Sequence, residues 1–448
     1  MIYRGVTAKP PAATLDELQL IEPDRRRSPG LEFLTTTPGR LTVLAVVLIA
    51  AALAAGAVTA VAITDRQQRI QGLRANSEPL ADTAQVLYSS LSIADASATS
   101  AFLSGGVEPQ DLRQRYDDAI RQATTTLVAA ANGVSSGDVT TITLLAAMSN
   151  RLADYVRQVD TARANNRAGN PLGVAYLGQA SGLMQGTILP LAERLYASQS
   201  QSVAATQTDT ARFPLAPVLV AASVLLALVG AQVYLYRLSR RRISPGLTMA
   251  SLLMAVLVIW LTFAAMASTA ASDHARDRGT QPMSIVVQAR ILAQRARADE
   301  TLALLRHGSS TQVEADFATN TKTLSSVLGQ YRHRSPSPES GPQIASAVSA
   351  LDGWLTAHGV LQQRLSAGDF SAAARIATGR EPSGATAHVL ALDTALQAEI
   401  ARLRAVEFDS TTTAYRALLL LPTVGAALAV LSALFVCAGM WPRLNEYQ

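Results

Sequence analysis

Cysteine, lysine, aromatic residues and charge are all scarce in this sequence, and each scarcity excludes something. A single cysteine, Cys437, rules out a disulfide framework for any exterior domain. Of the 38 Lys and Arg residues only Lys9 and Lys322 are lysine, a bias of codon usage more than of chemistry. Charged residues make up 16% of the 448, hydrophobic ones 49%, and the mean hydropathy is +0.20. Such a composition suits soluble globular domains poorly and points to a membrane.

Charge is missing altogether from four stretches, 41–63, 214–236, 243–272 and 417–442, which hold no Asp, Glu, Lys, Arg or His. Each has at least 23 residues. As a helix that is about 35 Å, longer than a hydrocarbon core of about 30 Å. Four transmembrane helices are expected. Ala60-Val61-Ala62 imitates a signal-peptide cleavage site, but the apolar run is too long for an h-region and residues 1–40 precede it, so it reads as an uncleaved anchor.

The net charge of +5 sits almost entirely in one place. It is +1 over 1–40, −1 over 64–213, +4 over 237–242, +1 over 273–416 and zero over 443–448. Arg237, Arg240, Arg241 and Arg242 form a short basic loop that belongs on the cytoplasmic side, so both termini should be cytoplasmic and the two long segments outside, on a bacterial plasma membrane. Neither long segment has the basic footprint of a nucleic-acid binder. Residues 1–40 lack apolar periodicity and read as a disordered cytoplasmic tail. Within it Arg25, Arg26 and Arg27 suit anionic membrane lipid or a docking partner. The cytoplasmic segments 237–242 and 443–448 have six residues each, so no catalytic output domain is expected inside.

The exterior segments have 150 and 144 residues, and their markers recur. Pro79, Ala94-Asp95 and Ala101-Phe102-Leu103-Ser104-Gly105-Gly106 are followed by Pro282, Ala298-Asp299 and Ala303-Leu304-Leu305-Arg306-His307-Gly308 at an offset of 202 to 204. A tandem repeat is the expectation. Leu80, Ala84, Leu87, Leu91, Ala94, Ala98 and Ala101 form a heptad seam, whereas Gln288 and Arg295 stand where Ala84 and Leu91 would match. Strand-type alternation is absent. Turn signals at 105–109, 132–137 and 165–173, and again at 307–310, 329–341 and 367–369, cut each segment into four helices, with a further break at 379–384. The fold class is therefore all-α: four membrane helices plus two antiparallel four-helix bundles, 64–213 and 273–416.

Leu87 to Asp95 (LYSSLSIAD), followed by Phe102-Leu103-Ser104-Gly105-Gly106, resembles the first helix of the four-helix-bundle sensory domains of bacterial chemoreceptors and sensor kinases. Tyr176 to Tyr196, with Leu183-Met184 and Ile188-Leu189-Pro190, resembles their last helix. The layout of two span-and-bundle units around an Arg-rich inner loop is similar to that of the GlnX-like family of actinobacterial membrane sensors. That resemblance implies a solute-binding lipoprotein as the outer partner, a cytosolic Ser/Thr kinase as the inner one, and a signal reporting amino-acid availability.

Few residues carry chemistry. Gly133-Val134-Ser135-Ser136-Gly137 matches a nucleophile elbow but lacks the strand that would precede one, so a flexible turn is expected and no enzyme. The five histidines show no metal spacing and read as surface residues, and no glycine pattern indicates a cofactor. Asp95 and Asp299, each beside a seam alanine, are candidates to bond across the bundle or to face a ligand's ammonium group, although a solvated flanking position is the better expectation for them. Arg290 and Arg297 share a helix face and suit an acidic ligand, although a solvated face is the better expectation for them. Spans without ionisable groups argue against ion-coupled transport. Small residues at every fourth position, as in Ala52-Gly56-Ala60, Ser223-Ala227-Ala231 and Gly425-Ala429-Ala433-Cys437, suit close helix packing. The expectation is a non-enzymatic signal relay, with a structural or accessory subunit of a transport or envelope complex as the alternative; a homodimer stays open. Pro79, Pro214, Pro282 and Pro422 are expected to interrupt the helices.

Overall fold

The computed structural model describes residues 37–73, 75, 78–104, 108–134, 137–239, 244–305, 311–334, 341–379, 381 and 383–445. Arg25, Arg26 and Arg27, Arg240 to Arg242, and Ser135 lie outside the described residues. Every regular element among the described residues is helical, so the fold is all-α.

The helices are α1 (Thr37–Gly72), α2 (Glu78–Leu103), α3 (Gln110–Gly133), α4 (Val139–Arg167), α5 (Leu172–Leu183), α6 (Leu189–Ala211), α7 (Leu215–Ser239), α8 (Pro245–Ala275), α9 (Gln281–Leu305), α10 (Thr311–Arg334), α11 (Gly341–Ser366), α12 (Phe370–Thr378), α13 (Ala385–Leu418) and α14 (Leu421–Asn445). Wide turns of π-helix, Met184–Ile188 and Arg276–Thr280, join α5 to α6 and α8 to α9. Four helical stretches are long and apolar enough to cross a membrane; one of them runs unbroken from Pro245 to Leu305, 61 residues. At 1.5 Å per residue that is about 90 Å, so only its charge-free first half belongs in lipid.

The chain divides into two compact units. Among the described residues, one comprises 37–60, 216–239, 244–259 and 423–445. Its core is built from Leu48, Ala52 and Ala55 of α1, Ala221 and Leu228 of α7, Ala250 and Leu257 of α8, and Ala433 and Val436 of α14. Glycine permits its closest approaches: a Cβ on Gly56 would sit 2.5 Å from that of Ala429, and one on Gly246 2.5 Å from the Gly439 backbone. Of the small-residue rows, Ser223 and Ala227 face outward and only Ala231 of that row is buried, because α7 turns its larger Val224 and Leu228 inward.

The second unit, residues 61–215 and 260–422, holds both helical groups. Their apolar residues form one continuous core, from Leu87 and Tyr155 in the first group to Trp354 and Leu396 in the second. Helices α2 and α9 lie side by side within it. In the first group α2 pairs with α3 and α6, and α4 with α5; in the second α9 pairs with α10 and α13, and α11 with α13. The turns after α4 and α11 match bond for bond. Asn170 N–H reaches Asn165 O as Asp369 N–H reaches Arg364 O, and the glycine before each, Gly169 and Gly368, has φ of 69° and 78°.

The prolines act differently from one another. Pro79 is the second residue of α2 and Pro214 lies in the break between α6 and α7, while Pro190 and Pro282 each lie two residues past a π turn. A proline ring clashes with the carbonyl four residues back, and a locally widened turn relieves that clash without breaking the helix. Pro282 therefore does not interrupt its helix.

Candidate functional site

The seam of α2 carries one carboxylate into the core. Asp95 is 3% exposed and accepts hydrogen bonds from Ser181 Oγ (2.8 Å), Gln185 Nε2 (3.2 Å) and Tyr155 Oη (3.3 Å). Burial pushes its carboxyl above the usual range, and the three donors pull it partly back. It joins α2 to α4 and α5.

Its structural equivalent in the second group is Glu300 rather than Asp299. Asp299 is only partly buried and accepts a bond from Asn320 Nδ2 (2.8 Å); burial, opposed by that bond, lifts its pKa to about 6. Glu300, 1% exposed, accepts from Trp354 Nε1 and faces His358 Nδ1, both at 3.0 Å, with Arg297 paired to its other oxygen. An offset of 205 restores the seam: Ala84, Leu87, Leu91 and Ala98 match Ala289, Leu292, Ala296 and Ala303, all buried. The sequence markers recur at an offset of 202 to 204, one to three residues short of the offset at which the buried seams match.

Around Glu300 lies a charged cluster that sequence reading missed. His358 is 7% exposed, bonds Glu314 through Nε2 (2.9 Å) and stacks on Phe317 at 3.8 Å. Burial lowers the pKa of its imidazole, but the two carboxylates outweigh that and hold it above its ordinary value; Glu300 is lowered correspondingly, His358 and Arg297 overcoming its burial. The surface expectation fails for this histidine. A signal was present: Ile344, Ala347, Leu351, Trp354, His358 and Leu361 step by three and four along the buried face of α11.

Arg290 and Arg297 are also buried, against the expectation of a solvated face. Arg290 pairs with Asp393 of α13 (2.6 Å) and donates to Ser89 Oγ of α2 (2.7 Å), tying the two helical groups together. Arg297 donates through Nη2 to Ala377 O (3.0 Å) and Thr386 Oγ1 (2.9 Å), pinning the α12–α13 connection to α9. Neither is a free clamp, since each has a carboxylate of its own.

Between the groups lies a cavity of about 460 Å³, within the size range of small-molecule sites. Ile93, Leu112, Val389 and Leu390 supply apolar wall; Arg297, Arg115, Asp111 and Asp393 supply charge. Ser92 also lines it, and its buried Oγ has no hydrogen-bond partner. Arg115 makes no ion pair among the described residues. The arrangement offers a cation on α3, a carboxylate on α13 and an apolar wall, which together match a small zwitterion. Among the described residues, no three His, Cys, Asp or Glu side chains converge as metal ligands.

Arg237 lies in the last turn of α7, and Arg240, Arg241 and Arg242 lie outside the described residues. No curated protein and no solved structure matches the chain. Residues 69–208, which include α2 to α5 and most of α6, match the model of the actinobacterial sensor domain family, and this match supports an actinobacterial sensor protein with a signalling role in a membrane.

Proposed function

We propose that the protein is a non-enzymatic transmembrane relay whose ligand is a small amino acid seated in the cavity between α2 and α9, or a binding lipoprotein that delivers it. One observation carries the reading: the cavity is walled by α9, and that helix runs without a break into the apolar helix α8. A ligand bridging Arg115 and Asp393 would favour one packing of α2, α9 and α13 over another. Shifts of about 1 to 2 Å in packed helices are the usual size of such transitions. The match over 69–208 and the corresponding pairings in the second group support a duplicated sensor unit, a covalent pseudo-dimer with both units crossing in the same direction.

With the basic loop at Arg237 inside, both termini face the cytoplasm, where a Ser/Thr kinase is the natural recipient of the signal. The direct test is titration of the full chain in lipid nanodiscs with a panel of amino acids. Binding by the wild type, weakened at least tenfold in Arg115→Ala, is expected. Absence of heat for every amino acid and for the solute-binding lipoprotein loaded with them would overturn the reading and leave an accessory structural subunit. Loss of kinase-substrate phosphorylation in cells lacking the protein tests the inner partner separately.

A further inference from the structure

A second cavity, of about 370 Å³, opens where the N-terminal ends of α2 and α9 meet α6 and α13. Its wall is mainly apolar, with Pro79, Val203, Met283, Val287 and Phe408, and its charge is mainly negative. Glu407 of α13 lines it and is only 4% exposed. Both hydrogen bonds to its carboxylate fall on one oxygen: Oε1 accepts from Gln207 Nε2 (2.8 Å) and from Thr280 Oγ1 (2.6 Å). The π turn puts Thr280 there, and the turn fits only because Gly279 has no side chain; a Cβ would come within 2.9 Å of Glu407 Cβ.

What the carboxylate lacks is a counter-ion. No ion pair among the described residues includes Glu407. Arg404, one turn earlier, is the sole cation lining the cavity and is already paired with Asp82. Glu78 and Asp82 add to the negative side. Burying a carboxylate without an ion pair of its own is costly, and accordingly burial raises the Glu407 pKa in spite of its two donors and the charge of nearby Arg404.

We propose that this cavity is a second ligand site, distinct from the one between α3 and α13, for a small organic ammonium ion with an apolar body, Glu407 serving as its counter-ion. The ammonium group supplies the missing charge, and the apolar body covers Val203, Met283 and Val287. An anion meets like charge there, and a neutral analogue gains only the apolar contact. Because the wall draws on the first helix of each group, occupancy fastens α2, α6, α9 and α13 at one end.

The test uses benzylammonium, benzyl alcohol and benzoate as matched probes, titrated into the full chain in nanodiscs with empty nanodiscs subtracted. Benzylammonium is expected to bind at least tenfold more tightly than benzyl alcohol, and benzoate not at all. Glu407→Gln keeps an acceptor for Gln207 and Thr280 and should cut benzylammonium affinity at least tenfold while sparing benzyl alcohol. Arg404→Ala, at a half-exposed position, frees Asp82 and should tighten benzylammonium severalfold whether or not Glu407→Gln folds. Equal binding of amine and alcohol, no binding to the wild type, or an amine affinity indifferent to both substitutions would overturn the proposal.

Discussion

At the scale of single residues the protein is governed by a few charges buried in alanine-rich cores. Glu300 is compensated by Arg297, Trp354 and His358, so removing its charge leaves two cations short of a partner. Glu300→Gln should cost about 3 to 5 kcal/mol, the range for breaking a buried pair from one side; chemical denaturation monitored by Trp fluorescence checks it. His358 has its pKa raised above 6.5 and Glu300 has its lowered below 4.5. The imidazolium therefore stabilises the fold fully below pH 6.5, and that contribution is lost as pH rises through the raised value; the Glu300 contribution is present above pH 4.5 and lost on acidification. The melting temperature of the wild type minus that of His358→Gln should be largest between those limits and shrink as the pH rises above 6.5. A constant difference would contradict the charge assignment. Asp299 has the opposite polarity: with a pKa near 6 against 3.8 unfolded, it binds a proton more tightly in the native state, so its stabilisation disappears as pH rises between those values. Asp299→Asn should then melt higher than wild type at pH 7, by about 1 to 2 kcal/mol after allowance for its partial exposure, and lose that advantage at pH 4.

At the scale of elements, turns and close approaches decide what the helices do. Gly368 closes α11 at φ of 78°, a conformation that disfavours any Cβ. Gly368→Ala should cost about 1 to 2 kcal/mol in thermal melts, and Gly169→Ala the same amount at the matching turn after α4. In the other unit Gly439 approaches Gly246 so closely that a side chain must force α8 and α14 apart. Gly439→Val is expected to lower detergent resistance while leaving the melting of the helical groups in place. The heptad seam of α2 and the turns after α4 and α11 were legible in the sequence because period and turn chemistry are local. The π turns were not, since only their prolines are visible and a proline alone does not tell a break from a widened turn.

At the scale of the whole molecule, the two helical groups share one core, centred on α2 against α9. Leu91, fully buried in that core, belongs to the first group, and Leu91→Ala should cost about 2 to 5 kcal/mol. Its effect should reach the second group: amide exchange around Trp354 on α11 is expected to quicken along with exchange on α4. Change confined to the first group would show two separate folding units instead of one.

Sequence alone determined the four apolar spans, the all-helical class and the sensor-like layout, because hydrocarbon thickness, helical period and charge-free length can all be counted along a chain. Only the tertiary structure decided that Glu300 rather than Asp299 matches Asp95, that Arg290, Arg297 and His358 are buried and paired, and that cavities form between the groups. Those outcomes depend on which residues meet across helices distant in sequence, and a shift of one residue in α9 exchanges a partly buried carboxylate for a fully buried one.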